Sequence, residues 1–264
     1  MGSMTSFAIM MIVRIDSPSR LRNCEITLRY YGTSFQHVYV IEVDIESRIP
    51  NEIKESFPNV TFLFVKDDSL VFHRTHYMNY AFHRLAESHR FIAHIDVEIL
   101  VPHKQLASAY EIISEGNIPM VIPYSGECIS LNEDSTMEVY FSRGFIGEPL
   151  RNIGEKMFGN YSVGGAYLGN VHLYQEFGLE NENFIGWGPE DLERVLRLDI
   201  LGYPPLRVDG QIFHLNHYRG ENSGDNFDHV TYQTKKELSR ICSYNKHELI
   251  DYISTWPWAR TLKI

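Results

Sequence analysis

The chain has 264 residues, 44% of them hydrophobic, and a formal net charge of −10. That is enough apolar material for one large domain, and the acidic balance, with no basic cluster longer than Lys235-Lys236, argues against nucleic acid or anionic lipid as a partner. No apolar run approaches the ~18 to 20 residues of a spanning helix, and the three cysteines Cys24, Cys128 and Cys242 fit neither a disulfide framework nor a zinc site, so a soluble protein in a reducing compartment is expected.

From Phe7, FAIMMIVRI is the almost unbroken apolar run of a strand covered on both faces. Ser17 and Pro18 then suit the cap and first turn of a helix carrying Leu21, Ile26 and Leu28 on its stripe. HVYVIEVD (residues 37–44) predicts a second strand, NEIKESF a short helix, and VTFLFV (60–65) a third strand. The spacing of Val71, Met78, Phe82 and Leu85 predicts a helix over 71–88, and RFIAHIDVEILVP a fourth strand ending in acids. Such alternation predicts βαβ units and a parallel sheet with its ligand site at the carboxyl ends of the strands.

A helix near 104–114 and a strand at 119–123 continue the pattern, whereas 124–148 is polar and aperiodic. It reads as a functional loop, an insertion, or a docking surface for a partner enzyme. NYSVGGAYLGN (160–170) predicts a strand with close backbone approach at Gly164 and Gly165, followed by a short helix over 171–177. Leu192, Val195, Leu196 and Ile200 mark the apolar face of a helix over 189–201 that Gly202 closes. Two short strands within 204–215, one long helix over 234–254 and an aromatic tail, TWPWART, complete a single domain.

Three short stretches carry chemistry. In HIDVE, acids at i and i+2 of a strand point the same way and can flank a divalent ion; an acidic strand terminus explains them equally. In FIGWGPED, Pro189, Glu190 and Asp191 are explained as a helix start that complements the dipole. Gly186 and Gly188 are not, because flexible residues beside a large aromatic carry an entropic cost unless the chain bends or something approaches closely. Trp187 is suited to stack on a sugar, and a carboxylate at the following helix start is held ionised. In FHLNHYRG, His214 and His217 would face opposite sides of a strand, so at most one is a metal ligand unless the backbone turns, and an ordinary core or surface histidine is the alternative. His73, His76, His83 and His89 read as the polar face of a helix. Together these stretches meet the needs of transfer from a nucleotide diphosphate sugar: a cation for the leaving diphosphate and a base for the acceptor hydroxyl.

With HIDVEILVP upstream and HLNH downstream, FIGWGPED resembles the GT-A glycosyltransferases. Within them it is most similar to the beta-1,4-galactosyltransferases and to the galactosyltransferase-like domain of the polypeptide N-acetylgalactosaminyltransferases and chondroitin polymerases. The resemblance runs from about Ile12 to Gly220 and implies an α/β, Rossmann-like nucleotide-diphospho-sugar transferase fold, its central, mainly parallel sheet flanked by helices. It divides the single domain, 5–264, into a nucleotide-binding half (5–102), an acceptor and catalytic half (103–220) and a C-terminal helical extension (221–264). VRIDSPSRLRN resembles the family's first strand and arginine turn, implying Arg14 near the uracil, and FHRTHYMNYAF implies Arg74 beside the nucleotide with Asn79 in the same helix. IDVEILVP resembles a D-V-D strand end, implying Asp96 against ribose or metal and Glu98 as a direct metal ligand with one methylene more than the usual aspartate. YSVGG resembles the acceptor-side glycine pair, Gly164 and Gly165. GWGPED resembles G-W-G-G-E-D, implying Trp187 under the sugars, Glu190 on donor or acceptor hydroxyls and Asp191 as general base. HLNH resembles M-x-x-H, implying His217 as a metal ligand and His214 as a further candidate in the methionine's place.

The resemblance implies inverting transfer of a hexose, galactose or N-acetylgalactosamine, from a UDP-sugar to a glycan hydroxyl, with Mn²⁺ or Mg²⁺ as cofactor. A sugar-binding protein of the same fold without catalysis and a metal-dependent hydrolase are the competing readings. A cytoplasmic location is expected, with a soluble or lipid-linked acceptor in polysaccharide biosynthesis and TWPWAR as a peripheral membrane contact.

Overall fold

A computed structural model of the protein describes residues 7–142, 154–157, 159–220 and 228–259. The first apolar run forms β1 (Phe7–Val13), all of it buried, and its alternate side chains serve opposite cores: Phe7, Ile9, Met11 and Val13 on one face, Ala8, Met10 and Ile12 on the other. From β1 the chain passes through α1 (Pro18–Thr27) and a π-helical turn, Leu28–Gly32, to β2 (Val38–Asp44). Ser17 caps α1 by accepting the Arg20 N–H at 3.3 Å. Next come α2 (Asn51–Ser56), β3 (Val60–Lys66), α3 (Arg74–Leu85), β4 (Phe91–Ile95), β5 (Ile99–Leu100), α4 (His103–Glu115) and β6 (Met120–Ile122). The remainder is β7 (Glu127–Leu131), α5 (Glu133–Ser142), β8 (Gly154–Met157), β9 (Ala166–Asn170), α6 (Val171–Glu176), α7 (Glu190–Ile200), β10 (Leu206–Arg207), β11 (Gln211–His214), α8 (Asp228–Ser243) and α9 (Lys246–Ser254).

The main sheet has seven strands in the order β10-β6-β9-β4-β1-β2-β3, with β9 antiparallel to both its neighbours and the other pairs parallel. α1, the π-helical turn and α4 cover one face through Cys24, Leu28, Leu106 and Ala109; α3 and α6 cover the other through Met78, Phe82, Val171 and Tyr174. A second sheet, β5-β11-β7-β8, stands at the carboxyl end of β4. No helix among the described residues is long and apolar enough to cross a membrane.

Several boundaries differ from the sequence reading, each for a local reason. HIDVEILVP is not one strand: β4 stops at Ile95, the Asp96 N–H donates to the Gly165 carbonyl (2.9 Å), the Ile99 N–H to the Asp96 carbonyl (2.9 Å), and the chain enters the second sheet. The acids therefore sit in a turn between two sheets. Within the polar span 124–148, β7 and α5 occupy most of the length, because Cys128, Ile129 and Leu131 are buried between polar neighbours; residues 143–148 lie outside the described residues. α3 begins at Arg74, so Val71 lies ahead of it, and β9 begins only after Gly165. The expected long C-terminal helix is two helices, because Asn245 forms a capping box with Glu248 that starts α9 anew. Trp256 in the aromatic tail is only 2% exposed and packs with Leu201, Ile241 and Leu249, so this ring is core and not a membrane contact. The tail's end, 260–264, lies outside the described residues.

The largest correction concerns α7. Its buried face is Glu190, Glu193, Arg194, Arg197 and Leu198, while Leu192 of the expected apolar stripe is 41% exposed. Burying these charges is tolerable only because each is paired and hydrogen-bonded. Arg194 donates through Nε and Nη2 to Glu180 (3.0 and 2.8 Å), and the hydroxyls of Tyr167 and Tyr174 donate to the same carboxylate at 2.5 and 2.9 Å. Arg197 pairs with Glu193 at 2.7 Å and donates to the carbonyls of Leu179 (2.6 Å) and Phe177. Burial raises the Glu180 carboxyl but Arg194 outweighs it, leaving the group below its usual range. Its contribution to stability is therefore present above the unfolded glutamate range and is lost as pH falls through the lowered folded value. Glu180→Leu is expected to lower the unfolding free energy by ~3–5 kcal/mol in urea titrations, and adding Arg194→Met to recover most of it, since the cost is that of a stranded charge.

Candidate active site

A cleft of about 770 Å³ opens where β1 and β4 end and the two sheets part. Arg14, Arg74, Asp96, Glu98, Gly164, Gly165, Trp187, Glu190, Asp191, His214 and His217 all line it. Asn79 does not; it is buried, and its amide bonds the Glu180 backbone (3.0 and 2.9 Å) and the Glu182 carboxylate (2.9 Å), fixing the loop ahead of the tryptophan. Arg14 stands in the wall with its guanidinium on Asp67 (2.8 Å) and the carbonyls of Ser69 (2.8 Å) and Val43 (3.2 Å).

Glu98, His214 and His217 offer one ligand atom each within 4.8 Å of one another, the group of this kind among the described residues. β11 ends at His214 and the chain then turns, which brings the two rings to 5.3 Å from each other instead of onto opposite faces. That turn is pinned by the Leu215 N–H donating to the Glu98 carbonyl (2.8 Å), the Asn216 N–H to Thr136 Oγ1 (2.9 Å) and Asn23 Nδ2 to the Asn216 carbonyl (3.0 Å). His217 Nδ1 lies 2.8 Å from the Tyr218 carbonyl, and its Nε2 lies 3.7 Å from Glu98 Oε1. Burial pushes the His214 imidazole down to about 4, so it is neutral at physiological pH. Burial would raise Glu98, but Arg20 first, then His217 and His214, bring it to about 2. An ionised carboxylate beside a neutral imidazole is the protonation state that accepts a divalent cation. Asp96 stands apart from this group and pairs with Arg74 at 2.7 Å.

On the opposite wall the GWGPED turn is shaped by Gly186, at φ +72°, whose missing Cβ leaves room for Val71. Gly188 meets Thr234 of α8, so the C-terminal extension forms part of the cleft. Trp187 is 47% exposed and free to stack. Pro189 occupies the cap position, and α7 begins on Glu190 and Asp191. Arg74 Nη1 donates to Glu190 at 2.7 Å and lies 3.6 Å from Asp191 Oδ1, which also accepts from Arg194 at 2.9 Å. Asp191 Oδ2 faces Gly164, where an added Cβ would stand 2.2 Å away. Burial, and then the neighbouring Asp191, push the Glu190 carboxyl up to about 7; burial also acts on Asp191, yet Arg74 and Arg194 outweigh it and hold that carboxyl below its usual range. Burial, opposed by Arg74, raises Asp96 to about 6.

Sequence reasoning missed Arg20, Arg194 and Glu180. Arg194 stands one helical turn beyond Asp191 and was open to inference; nothing local marks Glu180 as its partner.

No family model matches the chain, and no curated protein matches its sequence. Solved structures do match its fold. GalNAc-T7, solved with UDP, GalNAc and Mn²⁺, superposes on 97% of this chain with a TM-score of 0.57 at 13% identity. Glucosyl-3-phosphoglycerate synthase from Mycobacterium tuberculosis, solved with Mn²⁺, UDP and phosphoglyceric acid, superposes on 90% of it with a TM-score of 0.51 at 12% identity and is itself covered over 78% of its length. The catalytic domain of Drosophila beta1,4-galactosyltransferase 7 in complex with xylobiose matches 76% of this chain at 16% identity, with a TM-score of 0.46. The chain spans 63% of that galactosyltransferase structure and 51% of GalNAc-T7. With its seven-stranded central sheet and flanking helices, the chain has the GT-A fold of the nucleotide-diphospho-sugar glycosyltransferases.

Proposed function

We propose that the protein is an inverting, metal-dependent glycosyltransferase that moves a hexose, galactose or N-acetylgalactosamine, from a UDP-sugar to a hydroxyl of a free or lipid-linked glycan. One observation carries the reading: a single cleft holds an ionised, clamped Asp191 and an exposed Trp187 together with the Glu98, His214 and His217 group. The GT-A fold, and the UDP and Mn²⁺ found with GalNAc-T7 and the Mycobacterium synthase, support it.

One carboxylate and two imidazoles would hold the metal, a donor set that suits Mn²⁺ better than Mg²⁺, which prefers all-oxygen surroundings. When bound, the ion supplies the positive charge against which a diphosphate can leave. The chain's own groups do the rest. Trp187 offers a flat apolar face to a sugar ring. Glu190, whose carboxyl is pushed up to about 7 by burial and by Asp191, can both donate to and accept from sugar hydroxyls at neutral pH. Asp191 Oδ1 is engaged by arginines, so Oδ2, at the gap left by Gly164, receives the proton of the acceptor hydroxyl. The acceptor oxygen then attacks the anomeric carbon from the face opposite the diphosphate, which inverts the centre. Arg14 contributes by holding the 67–69 turn beside the nucleotide end of the cleft.

Three outcomes are expected. Asp191→Asn reduces UDP release from UDP-galactose or UDP-N-acetylgalactosamine with Mn²⁺ by about 10²- to 10⁴-fold, while calorimetry shows Mn²⁺-dependent UDP binding unchanged. Unaltered turnover in that variant removes the base assignment, and a wild-type protein without Mn²⁺-dependent UDP affinity removes the transferase reading. Gly164→Ala displaces Oδ2 and costs about 10²-fold in kcat with the donor KM nearly constant, read from initial rates. The raised Glu190 carboxyl contributes stability that is complete below the unfolded glutamate range and is lost as pH rises through about 7; urea titrations from acid to mildly alkaline pH should show this decline, reduced in Glu190→Gln.

A further inference from the structure

The first turn of α1 carries Arg20, which lies in the stretch VRIDSPSRLRN, where the resemblance gives a role to Arg14 alone. Its side chain is only 12% exposed, and it reaches the cleft from the wall opposite α7. Nη1 donates to both oxygens of Glu98 at 3.2 and 3.1 Å, Nε donates to Asp16 Oδ1 at 3.1 Å, and Nη2 lies 3.3 Å from His217 Nδ1. A guanidinium thus covers the carboxylate that a divalent cation would need, and it touches one of the two imidazoles as well. Two cations cannot share one partly buried carboxylate at these separations without strong mutual repulsion. A diphosphate, in turn, offers a guanidinium the paired oxygens for which its fork is shaped.

We propose that Arg20 is the resident counter-ion of the Glu98–His214–His217 group: it yields Glu98 to the divalent cation and turns to the diphosphate, so that metal and nucleotide bind in a coupled way. Asp16, four residues before Arg20 and just ahead of the α1 cap, remains as the pivot on Nε. The proposal rests on the metal-site reading above, and it predicts that nucleotide-free Mn²⁺ affinity is held down by a side chain of the protein itself. By reciprocity, whatever UDP gains from Mn²⁺, Mn²⁺ gains from UDP, and part of that shared gain belongs to Arg20.

Calorimetric titration of Mn²⁺ into the full chain, with and without UDP, tests this. In Arg20→Gln the nucleotide-free Mn²⁺ affinity should rise about five-fold or more, and the factor by which UDP tightens Mn²⁺ should shrink. Glu98→Gln should remove the binding in either background. Nucleotide-free affinity in Arg20→Gln equal to or weaker than wild type overturns the proposal while leaving the metal site standing. Absence of Mn²⁺ binding by wild type and variant alike, with UDP or without, overturns the metal-site reading and this proposal together. If a thermal melt shows that the glutamine variant has not folded, Arg20→Lys takes its place: it keeps a cation near Asp16 but not the guanidinium that reaches Asp16, Glu98 and His217 at once. Its nucleotide-free affinity should exceed that of wild type, and an equal or lower value overturns the proposal.

Discussion

A continuous chain of charge runs through the interior from Asp96 to Arg74, from Arg74 to Glu190 and Asp191, and from Asp191 through Arg194 to Glu180. Four carboxylates share two guanidiniums along it, so they cannot all be ionised without uncompensated buried charge. The arrangement settles which of them give way. Glu180 and Asp191, each facing Arg194, stay below the usual carboxylate range; Asp96 and Glu190 are pushed up to about 6 and about 7. Two adjacent acids at one helix start thereby acquire different protonation behaviour at neutral pH, which is what the proposed base and hydroxyl-binding roles require.

The same chain of pairs holds the architecture. Asp96 marks the end of β4, Arg74 the start of α3, Glu190 the start of α7, and Glu180 the loop that Asn79 pins from α3. Apart from the Asp191–Arg194 pair within α7, each contact joins elements that the backbone ladder does not connect. α7 accordingly turns its charged face inward and leaves Leu192 to the cleft, an inversion of ordinary amphipathic logic that holds because Tyr167, Tyr174 and the carbonyls of Phe177 and Leu179 complete the hydrogen bonding.

A chain with a net charge of −10 would have to offset the charge of the proposed anionic donor locally. The cleft concentrates guanidiniums, Arg14, Arg20 and Arg74, where the strands of the main sheet end, and joins Glu98 of one turn to two imidazoles of another. The junction of two sheets at Asp96 to Ile99 is what lets residues more than a hundred positions apart in the chain meet there.

Local physics determined much of this protein from sequence alone. Continuous apolar runs specify β1, β2 and β3; the Ser17-Pro18 pair specifies the start of α1; and the resemblance around GWGPED pointed to residues of which all but Asn79 line one cleft. These features depend on near neighbours or on motifs short enough to read directly. What only the tertiary structure decided is which charges are buried and with whom: α7 shows its polar face to the core because Glu180 waits there, Arg20 leaves the surface because Glu98 does, and His214 and His217 converge because the chain after β11 is pinned by Thr136 and Asn23. The free energy of a buried charge depends on its partner's position, and that partner is specified by folding and not by spacing along the chain.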